Sequence, residues 1–195
     1  MDAEMVLLVV STDAPRLQAL VERQPEASIT ARSQSYTQYL LPRRPRRVRP
    51  PVLGRTLRIR SVNASCSDAI IANAIDGDPV TRWHCGAPQA GDEVVTIDLG
   101  DTMTVGAVRH GLGPYLSDFP RELAIETSLD AASWQDAWQG PSVASVIFAG
   151  FDDPRWPSLV FTFDPRPARY LRLRQTAMDR PFYWSVAEIA VLGGT

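Results

Sequence analysis

The residues best suited to do chemistry lie in the run NAIDGDPVTRW, from Asn73 to Trp83. Asp76, Asp78 and Thr81 place three hard oxygen donors within six residues, which is the donor chemistry Ca²⁺ selects. The spacing is not that of an EF-hand loop, so further ligands must come from elsewhere in the chain. Asp76-Gly77 and Asp78-Pro79 are also turn chemistry, and a bare Asx-turn is the competing reading. The rest of the chain offers little for catalysis. There are two histidines, His84 and His110. No nucleophile elbow, Walker loop, HExxH or dinucleotide fingerprint occurs. Gly111-Leu-Gly113 is only a fragment of a phosphate loop, and Asp152-Asp153 reads as a turn. The expectation is a protein that is not an enzyme. Cys66 and Cys85 are 19 positions apart without CxxC spacing, which argues against zinc. A disulfide and two buried thiols both satisfy this sequence, and the placement of the Cβ atoms decides between them.

The elements that must carry these residues change character along the chain. MVLLVV (Met5 to Val10) reads as a buried strand. Ser11, Thr12 and Asp13 offer helix caps, and Pro15 stands close to the first turn. Leu17, Leu20 and Val21 have amphipathic helical spacing, with an end near Gln24-Pro25. Ala27 to Tyr39 alternates weakly as a further strand. Residues 1–41 are therefore expected to form a small α/β-like, βαβ-like segment, the remnant of a larger domain. Residues 42–52 follow as a linker: Pro42 to Pro51 holds five Arg and four Pro, which suits a stiff extended connector rather than a helix or central strand.

From residue 53 to 195 short strand-like runs recur between Gly, Pro, Asp and Asn turns. They are Leu57–Val62, Glu93–Leu99, Val105–Leu112, Glu122–Ser128, Trp134–Trp138, Ser158–Phe163, Arg169–Gln175 and Ala187–Leu192. Val95, Ile97 and Leu99 share a face. In Tyr170-Leu-Arg-Leu-Arg-Gln the leucines face one way and the arginines the other. Such alternation marks strands with one buried face. Eight runs without a long helix between them predict an all-β antiparallel sandwich or barrel.

Charge divides the same way. Residues 1–60 hold 11 Arg against 5 acids, and residues 61–195 hold 9 Arg against 17 acids. All basic residues are Arg, with no Lys. The basic linker lacks the aromatic residues that would stack bases, so no nucleic-acid partner is expected. No apolar run approaches the roughly 20 residues of a membrane helix. Met1-Asp-Ala-Glu does not open a signal peptide. The chain is then either cytoplasmic or a piece of a longer exported or membrane-anchored protein.

AIDGDPVTRW, VTIDLG (Val95–Gly100), FPRELAIETSLDAASW (Phe119–Trp134), ARYLRLRQT (Ala168–Thr176) and WSVAEIAVLG (Trp184–Gly193), in that order, resemble the discoidin-like, coagulation factor V/VIII C-type domains. These include the family 32 carbohydrate-binding modules of the galactose-binding-like superfamily. The resemblance covers about residues 61–195 and implies an eight-stranded jelly-roll sandwich. It also implies a structural calcium ion. The matching positions are the side chains of Asp76 and Thr81, carbonyls around Ala74, Asp78 and Thr81, and Glu188 with the Ala187 carbonyl. Such an ion would tie the first loop to the last strand.

In that family, ligands bind in loops at one end of the sandwich. The matching candidates are His84, Tyr115, Asp118, Phe119, Trp156, Phe182 and Tyr183, which could stack on sugar rings and hold hydroxyls. The family's Arg–Asn pair is not evident after Val108, which sets galactose specificity apart from sugar binding as such. Trp83, Trp134 and Trp184 sit in strand-like frames and are expected in the core.

The implied function is a non-catalytic carbohydrate-binding or adhesion module, extracellular or periplasmic, with a glycan or cell-surface ligand. One alternative is an accessory C-terminal domain of a larger bacterial membrane protein. Residues 1–42 are loosely similar to the extracytoplasmic end of glycosyltransferase-like proteins. A second alternative is phospholipid binding through Tyr115-Leu116 and Phe182-Tyr183, which the acidic charge of residues 61–195 opposes.

Overall fold

MVLLVVS forms the first strand, β1 (Met5–Ser11). Pro15 then opens α1 (Pro15–Glu22), where a residue without an N–H leaves no helical bond unmade. β2 (Ser28–Arg32) and β3 (Tyr36–Pro42) follow as a hairpin. The computed structural model of the chain describes residues 5–23, 27–42 and 54–194. They fall into two compact units, Met1–Arg49 and Pro50–Thr195.

In the first unit the strand order is β1-β3-β2, with both neighbours antiparallel to β3. β1 and β2 therefore run parallel, as the βαβ-like reading expects, but β3 lies between them. The single strand expected over 27–39 is two strands, because Ser33 folds the chain back. Its Oγ accepts from the Ser35 and Tyr36 N–H groups at 3.1 and 3.0 Å. Tyr39 is fully buried with Val10 and Val21, and its hydroxyl donates to Glu22 at 3.0 Å. The linker expected over 42–52 lies outside the described residues except for Pro42, which ends β3.

The second unit runs β4 (Thr56–Leu57), β5 (Ser61–Ala64), a 3-10 turn (Asp68–Ala74), β6 (Trp83–His84), β7 (Val94–Gly111), β8 (Glu122–Ser128), β9 (Gln135–Pro141), α2 (Val143–Asp152), β10 (Ser158–Gln175), β11 (Ser185–Val186) and β12 (Glu188–Gly193). The pairings among these strands are antiparallel, in the order β4-β12-β7-β10-β8-β9 with β5 also on β7. The all-β jelly-roll expectation holds. Two details differ. Runs expected as separate strands join into β7 and β10, each of 18 residues. They turn without leaving the ladder: Gly100 takes φ +86°, which glycine adopts without strain, and β10 slips register opposite that corner. The second detail is α2, an apolar helix that strand-period reading missed.

The first half of β7 pairs with β5 and the end of β10, and its second half with β12 and the start of β10. Val95, Ile97, Leu171, Leu173, Ile125, Leu159 and Phe161 fill the space between. The alternation in β10 behaves as expected: Leu171 and Leu173 are buried, while Arg172 and Arg174 turn outward to Glu126 of β8 at 2.6 and 3.3 Å. Trp83 and Trp184 are buried and meet edge to face, 5.1 Å apart. Trp134 corrects the core expectation. It is half-exposed beneath the Arg172 guanidinium, 4.3 Å from its ring centroid, because the alternation of β10 turns Arg172 to the outside.

His110 is fully buried, and its Nε2 accepts from Trp184 Nε1 at 3.1 Å. Burial drives its pKa from 6.5 down to about 4. Between those values the unfolded chain takes up a proton that the folded chain refuses, so stability falls on acidification. The loss attributable to His110 should be about 2–3 kcal/mol at pH 4.5. Denaturant unfolding from pH 7 to 4.5 should show the wild type losing that much more than His110→Gln. Equal losses in both proteins would refute it.

Candidate functional site

The acidic turn forms as a nest of local hydrogen bonds. Asp76 accepts from the Asp78 N–H at 2.9 Å and from the Thr81 hydroxyl at 2.8 Å, and Asp78 accepts from the Val80 N–H at 2.9 Å. Glu188, at the start of β12, reaches back across 111 positions to accept from the Gly77 N–H at 2.7 Å. The turn is thus clamped to the last strand. The Asp78 N–H and the Thr81 hydroxyl hold the Asp76 carboxyl below its usual range. Glu188 goes the other way: burial, and then the charges of Asp76 and Asp78, push its carboxyl up. Ala74 closes the 3-10 turn and is buried; Ala187 is buried beside Glu188. Among the described residues no three His, Cys, Asp or Glu side chains converge on one point. Any cation here would also draw on hydroxyl and carbonyl oxygens.

Six of the seven expected ligand residues come together in the loops 82–84, 115–121 and 182–184. The His84 and Tyr183 rings lie 5.5 Å apart, tilted by 32°. His84 Nδ1 accepts from the Gly86 N–H at 3.0 Å. Burial, followed by the Arg82 charge, lowers the His84 pKa. The neutral ring therefore carries its proton on Nε2, as a donor. Arg82 pairs with Asp118 and lies 3.7 Å over the Tyr115 ring, while the Tyr115 hydroxyl donates to the Val80 carbonyl at 2.9 Å. Beside this group, Arg121 pairs with Asp179 and spans the Phe119 and Phe182 rings at 3.9 and 5.0 Å. Trp156 does not join them. It lines a different groove, with Pro79, Arg109 and Glu188.

Gln89 holds these loops in register. It is buried, and its amide donates to the carbonyls of Phe119 at 3.0 Å and Tyr183 at 2.9 Å. Its oxygen accepts from the Arg121 N–H at 3.0 Å and from Gln175. Cys66 and Cys85 form a disulfide with Cα atoms 5.1 Å apart. It fixes Cys85, next to His84, to the segment after β5.

Sequence reading missed Arg82, Gln89, Arg121 and Asp179. Arg82 and Arg121 were visible inside quoted motifs, at Thr-Arg-Trp and Pro-Arg-Glu. Nothing local marked Gln89 or Asp179, because their partners are brought up by the fold.

The F5/8 type C domain family matches residues 60–189. The chain belongs to this family. Solved structures similar to this F5/8 type C domain include carbohydrate-binding modules. The CBM32 of AlyQ, in complex with 4,5-unsaturated mannuronic acid, is 26% identical, with a TM-score of 0.54 over 70% of this chain and 97% of that one. CBM32-3 from a family 31 glycoside hydrolase of Clostridium perfringens is 26% identical, with a TM-score of 0.51 over 68% of this chain and 90% of that one. A pectin-binding module at 24% identity and TM-score 0.52, covering 70% of this chain and 91% of that one, shares the fold. No curated protein sequence matches the chain.

Gln89→Leu would leave the Tyr183 carbonyl, the Arg121 N–H and the Gln175 side-chain amide of the F5/8 type C domain without these partners, while the Phe119 carbonyl keeps Arg121 Nη1. The expected cost is about 2–4 kcal/mol, since each buried unsatisfied group costs about 1–3 kcal/mol. Chemical denaturation should measure it, and hydrogen exchange should show the Arg121 amide losing protection first. An unchanged midpoint would mean that water or loop rearrangement replaces the glutamine.

Proposed function

We propose that this domain is a non-catalytic glycan-binding module acting outside the cytoplasm. The observation that carries the reading is the meeting of His84, Tyr183, Arg82, Asp118 and Tyr115 at one loop end. An aromatic face beside a neutral imidazole donor and a fixed guanidinium–carboxylate pair suits a sugar ring. The apolar C–H face packs on Tyr183, and Nε2 of His84 donates to a ring hydroxyl. Both arginines here already have carboxylate partners, Asp118 and Asp179. Each pair is locally neutral, so the loop end favours an uncharged, hydroxyl-rich glycan. The Cys66–Cys85 disulfide supports an oxidising compartment.

The test is a glycan array followed by calorimetric titration of the best neutral oligosaccharide. His84→Ala and Tyr183→Ala should each weaken binding at least tenfold while leaving the melting temperature in place. A folded wild type that binds no glycan would overturn the reading, and flotation with anionic liposomes would point to a lipid surface instead.

The acidic turn fits a structural calcium ion. Asp76, Thr81 and Glu188 supply side-chain oxygens, and carbonyls around Ala74, Asp78 and Ala187 complete the candidate set. Burial, and then the charges of Asp76 and Asp78, raise the Glu188 carboxyl, and a cation would offset that like-charge contact. A bound ion would supply charge neutralisation and tie the turn to β12. In chelator, Glu188→Gln should melt at or above the wild-type temperature, because it removes like-charge repulsion. Added CaCl₂ should raise the wild-type melting temperature by several degrees and leave Glu188→Gln unmoved. A wild type indifferent to calcium would end the metal proposal.

A second reading, an accessory domain seated on a parent chain, draws on one observation. Leu116, Val143 and Phe151 expose apolar side chains on and beside α2. Fusion to or co-purification with the parent protein would test it by protection of α2 from exchange.

A further inference from the structure

The groove lined by Trp156 has a different chemistry from the loop end. It encloses about 270 Å³ between Trp156, Pro79, Arg109, Ser158, Ala190 and Glu188. Its floor is the cross-strand row Ser158–Gly111–Glu188 of β10, β7 and β12. The next row on the same face is Val160–Arg109–Ala190. Gly111 keeps the floor open: a Cβ there would meet Glu188 at 3.2 Å, closer than side chains normally pack. Ala187 and Ala190 keep two walls low.

The backbone around Trp156 is held by local hydrogen bonds. The backbone N–H groups of Arg155 and Trp156 both donate to Asp153 Oδ1 at 3.0 Å. The carbonyl of Pro157 accepts from the Leu112 N–H at 2.9 Å. The Arg155 guanidinium lies 5.5 Å from the Trp156 ring centroid. Arg109 is exposed, and among the described residues no carboxylate pairs with it. Glu188, the one acid among the described residues lining the groove, is turned onto the Gly77 N–H instead. This sets the groove apart from the loop end, where both arginines carry an acid.

We propose that this groove is a second binding site, for an acidic sugar whose ring stacks on Trp156 while its carboxylate is taken by Arg109. A guanidinium without an internal partner matches a carboxylate in a two-pronged geometry. The half-buried Trp156 indole supplies the flat apolar face that a pyranose ring covers. Arg155 adds a second positive charge at the rim. The site goes beyond the loop-end reading and does not depend on it.

The full chain is titrated calorimetrically with tetragalacturonate, tetramannuronate and the methyl ester of tetragalacturonate. The ester keeps the sugar faces and removes the charge. At least one uronate should bind ten or more times tighter than the ester and weaken as NaCl rises from 50 to 500 mM. Arg109→Gln should lower the affinity at least fivefold, and Trp156→Ala should abolish it. Both positions are solvent-accessible, and unchanged melting temperatures would confirm that both variants fold. Three outcomes overturn the proposal. They are binding of neither uronate, equal affinity for acid and ester, and loss of uronate binding in Tyr183→Ala but not in Arg109→Gln. The last would assign the acid to the loop end. Neutral-glycan binding is read separately through His84→Ala, so failure of either site is distinguishable from failure of the other.

Discussion

The antiparallel pairing of β7 with β10 is the constraint on which the rest of the sandwich depends. Each strand is 18 residues long, and together they serve both halves of the fold. At one end the pairing stops at Val94 and Arg174. There Gln175 delivers its side chain to Gln89 and the chain leaves toward the 182–184 loop. At the other end it stops at Gly111 and Ser158, where β12 begins and Glu188 turns back to the acidic turn. A slip of one residue would reverse the faces of both strands. It would bury Arg172 and Arg174 and expose Leu171 and Leu173, which is why the register is so strongly specified.

Charge is handled differently at the two ends, and this separates their chemistry. At the loop end, the half-buried Arg82 and Arg121 are matched with acids, and the residual polarity is that of a neutral hydrogen-bonding surface. On the outer sheet face, Arg109 has no acid partner among the described residues and lies beside an open glycine floor. Unmatched charge on a surface is ordinary. Unmatched charge lining a concave groove beside an indole suits a counter-charge. The acidic turn shows the opposite imbalance, with the Glu188 carboxyl pushed up by burial and then by the charges of Asp76 and Asp78.

The sandwich itself was legible because alternation with period two reports burial directly. Val95, Ile97, Leu171 and Leu173 could face only inward. The corners were not legible as continuous strand, because Gly100 and the region around Pro165 look like punctuation in one dimension and act as bends in three. α2 was missed because an apolar run between turn residues does not declare its period over ten residues. Trp134 was misplaced because its frame resembled that of Trp83, while its neighbour across the sheet is Arg172 rather than a core leucine.

By itself the chain determined the all-β class, the order of the F5/8 type C motifs, the acidic turn and most of the aromatic residues at the loop end. These are local: they follow from side-chain periodicity and from turn residues that act within a few positions. Only the tertiary structure decided that Trp156 leaves that group for a groove with Arg109, that Gln89 ties three loops together, and that Arg82 and Arg121 are already matched by Asp118 and Asp179. Each of those facts is a pairing between residues tens of positions apart. Pairing depends on which backbones the sheet register brings within hydrogen-bonding distance, and no local pattern encodes that.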